Sequence, residues 1–481
     1  MSKSVQRQIA MVAVLAFVAG CNVGPNYKRP AVDTPAAFHD PAGGPTTAPA
    51  GAESFGDVRW SEVFRDPQLT TYIDEALTNN WDVKVAAARV LAAEGGLMVT
   101  RSRYFPTLNA GGGVSTGRTS QNGPFRVPGE NPQQTFGDVF LAMPAYEVDI
   151  WGAVRRANEA GRARLLASRE SQQIVRQTLV AQVSTAYFQL LELDYALEIA
   201  RRTRDARAQS LTLTTEREAG GVAAKQDVAQ AKILLYSAEA TIVTIERDRE
   251  QQENALCILL GRNPGPIQRG TGFTAQTVPA EVPVGLPSSL LERRPDLRAA
   301  EQDVVAANAD IGQAKAAYYP QLSLTGSYGF QSTSLSSLFT SSSQAWQFGP
   351  AVTMPLFTGG RLRGNEQVAQ AQFQEAVAQY RRTVQNAFRE VSDSLIAYQR
   401  NREFRARQEE RTEAHRTAAD LANTRYEGGV TSYLEVLYNE QELFTAELNL
   451  AQARLDELLS VVALYQSLGG GWQTADTVAL K

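Results

Sequence analysis

Apolar residues recur along this chain with two periods, and the switches between them mark its elements. From Trp60 the spacing is helical, with Leu69, Ile73, Leu77 and Trp81 four residues apart. The pattern continues through Val83 to Arg103 and stops at Phe105-Pro106, since a residue before proline is pushed out of the helical region. Its counterpart stops at Tyr319-Pro320. Beyond each proline the period drops to two. Leu322, Leu324, Gly326, Tyr328 and Phe330 alternate with Gln321, Ser323, Thr325, Ser327 and Gly329. After a Ser-rich turn, Trp346, Phe348, Pro350, Val352, Met354 and Leu356 alternate with Gln347, Gly349, Ala351 and Thr353. The earlier pair of strands is fainter: Leu108, Ala110, Gly112 and Val114, then Phe140, Ala142, Pro144, Tyr146 and Val148 on the apolar face. One face is aromatic and apolar, the other small and polar, as for a strand between lipid and a watery lumen. A half-buried soluble sheet produces the same alternation.

The helical period then returns over far longer runs. Asn365 to Glu427 contains neither Gly nor Pro. At the helical rise it could reach about 95 Å. Val430 to Leu468 is equally free of breakers and could reach about 58 Å. Arg162 to Ala219 and Val222 to Leu260 repeat the pair. Each pair is interrupted once, at Gly220-Gly221 and Gly428-Gly429, where a tight reversal is easiest. The expected elements are long α-hairpins.

The same elements therefore occur twice. Asp82–Pro106 aligns with Asp296–Pro320 at an offset of 296 − 82 = 214, and Phe140–Gly261 with Phe348–Gly469 at 348 − 140 = 208. The difference, 214 − 208 = 6 residues, is a longer loop between Pro106 and Phe140 in the first copy. Four strands cannot close a barrel, and an open sheet edge is not tolerated in lipid, so closure demands several chains. Paired long helices must bury their stripes against one another in the same way.

Composition narrows the function. The 481 residues carry 47 basic and 51 acidic side chains, a net charge of −4, so no basic field recruits nucleic acid. Two histidines and two cysteines leave little for a metal site or acid/base chemistry. No phosphate-binding loop is present either, because Gly111-Gly112-Gly113 lies inside a strand pattern. At the N-terminus, Lys3 and Arg7 precede an apolar run, Ile9–Ala19, too short to span a bilayer. Val18-Ala19-Gly20-Cys21 follows, resembling a bacterial lipobox, so Cys21 is expected to carry diacylglyceryl and N-acyl chains. With Cys21 acylated, Cys257 has no intramolecular partner and is expected to be an inert core residue.

Several segments together resemble the TolC-type outer-membrane efflux ducts, in the lipoprotein branch of OprM and NodT. They are Cys21-Asn22-Val23-Gly24-Pro25-Asn26-Tyr27-Lys28-Arg29-Pro30, Trp60 with Asp66-Pro67-Gln68-Leu69, and Gly285 through Leu297. Leu356-Phe357-Thr358-Gly359-Gly360-Arg361-Leu362 and Arg425 through Leu434 complete the set. The resemblance implies a mainly α protein with a membrane β-barrel, each chain of a homotrimer giving four strands to a twelve-stranded barrel and long helices to a periplasmic α-barrel. The implied organisation is a signal peptide (1–20), an acylated tether (21–59), two repeats (60–261 and 288–469), an equatorial linker (262–287) and a tail (470–481).

The resemblance further implies a passive exit duct in the outer membrane, without an enzymatic cofactor. Its partners would be a periplasmic adaptor and, through it, an inner-membrane transporter that is expected to be driven by protons. The gate would lie at the periplasmic hairpin tips. Leu434 matches a constricting leucine there, while Tyr438 stands where the family has an aspartate. Glu435, Glu440 or Asp227 (the repeat partner of Glu435) are the alternative sources of charge. Gly220, Gly221, Gly428 and Gly429 mark the tips expected to dock the adaptor. A structural or adhesive surface lipoprotein with coiled-coil stalks is the competing reading; a periplasmic enzyme would need a convergent titratable set that the sequence lacks.

Overall fold

The computed structural model describes residues 22–35, 38, 54–122, 132–279, 282 and 287–471. Cys21 and the segment before it lie outside the described residues, as do residues 472–481. In chain order the helices are α1 (Trp60–Val63), α2 (Pro67–Asn79), α3 (Trp81–Ser102), α4 (Ala153–Ala219), α5 (Lys225–Leu259), α6 (Pro287–Arg293), α7 (Pro295–Ala316), α8 (Arg361–Glu427) and α9 (Tyr433–Ser467). The strands are β1 (Asn109–Arg118), β2 (Gln133–Val148), β3 (Gln321–Ser332) and β4 (Gln344–Thr353). The repeat is kept to the residue: α4 and α8 each have 67 residues, α5 and α9 each have 35, and α3 and α7 each have 22.

The chain divides into two compact units. The first comprises residues 1–30, 90–168 and 300–380, and the second residues 31–89, 169–299 and 381–481. Helices α3, α4, α7 and α8 contribute residues to both.

The first unit holds the sheet, antiparallel throughout in the order β1-β2-β3-β4. Opposed residues share a face, so the register assigns every side chain. Leu322, Leu324, Gly326, Tyr328 and Phe330 share a face with Val352, Pro350, Phe348, Trp346 and Gln344. On β2 the same face carries Val139, Leu141 and Met143, and then Tyr146 and Val148. Three steps on β2, from Met143 to Tyr146, oppose two on β3, from Gly326 to Leu324: a β-bulge. This corrects the alternation expected from sequence. Tyr146 and Val148 do lie on the apolar face, but Phe140 and Ala142 lie on the small, polar one. Phe140 and its repeat partner Phe348 thus point to opposite faces. β4 ends at Thr353, so Met354 and Leu356 extend the alternation without belonging to the strand.

Small residues and a strap organise the helices of this unit. Ala160 and Ala163 of α4 are buried against Ala306 and Ala309 of α7, where alanine lets two backbones approach. The beginning of the tether is docked here: buried Arg156 donates from Nε to Val23 O (3.2 Å) and from Nη2 to Asn26 Oδ1 (3.0 Å). Tyr27 and Arg29 both bond to Glu301.

In the second unit Asp66 is a hub. Its Oδ1 caps α2 by accepting from Gln68 N (2.8 Å), while Oδ2 accepts from Tyr187 Oη, Thr271 N and Gln276 Nε2. Phe64, Phe188 and Tyr465 pack edge to face beside it. Asn80 ends α2 and accepts from Asp82 N and Val83 N to start α3. Cys257 is buried, as expected of a core residue.

Candidate functional site at the hairpin tips

Both hairpins reverse at the same kind of helix ending. At the first tip Val222 N donates to Arg217 O (2.8 Å) and Gly221 N to Glu218 O (2.9 Å). At the second, Val430 N donates to Arg425 O and Gly429 N to Tyr426 O. This double bond pattern needs a left-handed residue, and Gly221 (φ 75°) and Gly429 (φ 70°) supply it. Gly220 and Gly428 precede them with ordinary van der Waals room for a methyl group, so the strict glycine requirement falls on the second of each pair.

The returning helices begin alike. Asp227 Oδ2 accepts from Ala224 N (3.1 Å), and because an alanine side chain cannot reciprocate, this is half of a capping box. Glu435, at the equivalent position of α9, accepts from Thr431 Oγ1 and lies 3.6 Å from Arg425. Both carboxylates sit in a first helical turn, where the macrodipole favours them. Local partners therefore occupy both acidic candidates, a backbone cap for Asp227 and the Thr431 hydroxyl with Arg425 for Glu435.

Leu434 and Tyr438 behave differently. Tyr433, Val436 and Leu437 turn inward and pack with Tyr426, Ala422 and Ala231. That leaves Leu434 and Tyr438, 63% and 66% exposed, side by side on the opposite face of α9. Their repeat partners on α5 are Gln226 and Gln230 (offset 208), so this face is apolar in one copy and amide in the other.

Between the hairpins lies a polar joint that sequence reasoning missed. Arg207 of α4 is buried, donating to Leu234 O (2.8 Å) on α5 and Gln441 Oε1 (3.0 Å) on α9, with its guanidinium 5.1 Å from the Phe444 ring. Burial pulls its pKa down, and nearby Glu440 opposes that. Glu440 is pushed up by burial, with Asn423 and Arg207 holding it back. It belongs to this joint and not to the Leu434–Tyr438 face. Ser210 and the Tyr433 hydroxyl are 2.8 Å apart, and Arg217 stacks 4.5 Å from the Tyr426 ring. An arginine inside a polar helical run looks solvated in sequence; only its repeat partner, His415, marked the position as a departure from symmetry.

Among the described residues no group of histidine, cysteine or carboxylate side chains is arranged to hold a metal. The arrangement offers side chains that bolt two hairpins together and one apolar face left open.

Comparison with known proteins gives concordant results. A family model described as outer membrane efflux protein matches residues 72–262 and 286–470. The solvent efflux pump outer membrane protein SrpC of Pseudomonas putida is 35% identical over 98% of this chain and 99% of its own. The cation efflux system protein CusC of Escherichia coli is 33% identical over 96% of this chain and 98% of its own. Among solved structures, the open state of the Neisseria gonorrhoeae MtrE outer membrane channel superposes with a TM-score of 0.84 at 31% identity, covering 94% of this chain and 99% of that one.

Proposed function

Since the chain belongs to the outer membrane efflux protein family, we propose that three copies of it close into one passive exit duct gated at the hairpin tips. The chain is an outer-membrane efflux channel protein whose helices extend into the periplasm. The observation that carries the trimeric reading is the sheet: four strands with an apolar, aromatic face and two unpaired edges, β1 and β4. Lipid tolerates no open edge, so several such sheets must join. The number three, and with it a twelve-stranded barrel, is what the family resemblance implies.

An exposed stripe on α5, Ile233, Tyr236 and Val243, supports the same assembly, because a second copy would bury it. Acyl chains on Cys21 would add an anchor beside the strap at Val23–Arg29. The periplasmic tips would meet an adaptor, and through it an inner-membrane transporter. SrpC is named for solvents and CusC for cations, so relatives of this chain serve cargoes of different chemistry. The adhesive-lipoprotein alternative predicts no conductance.

Gating is assigned to Leu434 and Tyr438, the apolar pair on one exposed face of α9. Single-channel recording of the full chain in planar bilayers tests both statements. Wild-type trimers should conduct poorly until dilated, and Leu434→Ala with Tyr438→Ala should raise open probability about tenfold, a modest change in a two-state balance. Unchanged conductance in the double variant would move the gate elsewhere, and no conductance from any variant would remove the duct reading.

A further inference from the structure

The bulge in β2 leaves an aromatic side chain on the face that the sequence pattern reserves for water. Phe140 opposes Gly329 on β3 and Gly111 on β1, and all three lie on the polar face. Its ring rests on Gly111, where an added Cβ would come within 2.8 Å of the ring's Cζ. Gly329 is equally constrained, since a Cβ there would fall 2.7 Å from Phe140 Cα. Gly111 thus makes room for the ring, and Gly329 for the close approach of the β2 backbone that carries it.

The same face holds Phe136 and Asp138 on the same strand, four and two residues before Phe140. A hollow of about 420 Å³ lies over this part of the sheet, bordered by Asp138, Phe140, Ser327, Gln331, Ala345 and Gln347. That volume is in the range of small-molecule sites. On this face the strands carry two charges, Asp138 and Glu147, both acidic. Glu147 has Arg103 at 3.8 Å, whereas no base among the described residues pairs with Asp138.

We infer that Asp138, Phe140 and Phe136 form a binding station for aromatic organic cations inside the barrel. It rests on the reading of the polar face as the lining of the passage. The Phe140 ring, exposed over Gly111, can offer its negative face to a cation or its plane to another ring. The Asp138 carboxylate, which has no basic partner among the described residues, supplies charge complementarity, and Gln331 and Gln347 supply hydrogen bonds. Three copies would set three stations around the passage at one height. Cargo of this class would pause there on its way out, while anions would be disfavoured.

The test is calorimetric titration of tetraphenylphosphonium into the detergent-solubilised full chain, with conductance of the same preparation recorded separately. Wild type should bind, and Asp138→Asn and Phe140→Leu should each weaken binding about tenfold, the scale of one ion pair or one cation–π contact. Phe348→Leu, on the opposite face, should bind as wild type and thereby exclude partition into detergent. Tetraphenylborate, equal in shape and opposite in charge, should not bind at this station. Wild-type affinity in both Asp138→Asn and Phe140→Leu, or no binding by wild type, overturns the inference. A chain that conducts without site-dependent binding refutes the station alone and leaves the duct reading standing.

Discussion

Single residues show how unequal the two copies have become. Arg207 is buried where its repeat partner is His415, and it satisfies groups on two other helices. Arg207→Ala would leave Gln441 and Glu440 without their cation, at a cost of about 3 kcal/mol, typical of breaking a buried charged set. Thermal unfolding of the solubilised protein should report it, with Arg207→Lys recovering part of the loss. Glu192 makes a second test. Burial, reinforced by the charge of Asp456, pushes its carboxyl up to about 7. A carboxyl whose folded pKa is raised favours folding while protonated, so its contribution is complete below the ordinary value of 4.5 and is lost as pH rises through about 7. Glu192→Gln should therefore flatten the fall in melting temperature between those limits; an unaltered pH profile would count against the shift. Neither residue was legible in the sequence, because a charged residue on a long polar helix looks solvated until a second hairpin covers it. The tip glycines were legible, since a doubled Gly-Gly between breaker-free runs has few other uses.

At the scale of elements, helices and strands differ in how much their sequence reveals. The hairpins could be read closely at their tips, where Ala219 and Glu427 end the long helices as expected. But α4 and α8 start at Ala153 and Arg361, ahead of Arg162 and Asn365, because Gly161 and Gly364 are carried inside the helices. The strands were legible as strands but not by face. Period-two alternation assigns faces only while no residue is inserted, and the extra residue between Met143 and Tyr146 reverses the assignment for the preceding half of β2. Pro144 is the local sign of it, since proline has no N–H for the ladder and a central strand carries it at a bulge, but the alternation by itself does not show the inserted residue. The consequence can be measured in a Cys257→Ser background. Phe140→Cys should react with a membrane-impermeant maleimide through the water-filled side, and Leu141→Cys should be protected by lipid. The reverse pattern would restore simple alternation.

At the scale of the whole molecule, the chain is complete as a repeat and incomplete as a surface. Apolar side chains stand exposed on the sheet, with Trp346 and Phe348 prominent, and along α5. In the proposed trimer, lipid covers the first set and a second copy covers the other. Introducing aspartate at Ile233 and Tyr236 together should leave helix content intact, because both side chains are already exposed, yet convert the assembly to monomers in light scattering after size exclusion. A trimer that survives both charges would show that α5 does not carry the interface.

The sequence by itself determined the doubled plan, the long α-hairpins and their tips, the presence of four strands and the family to which they belong. These follow from periodicity, from breaker residues and from motifs, all of which act over a few residues. Tertiary structure alone decided which face Phe140 occupies and that Arg207 joins two hairpins. Each of those outcomes depends on groups that meet only after folding. An inserted strand residue or a buried charge acquires its meaning from what lies opposite it.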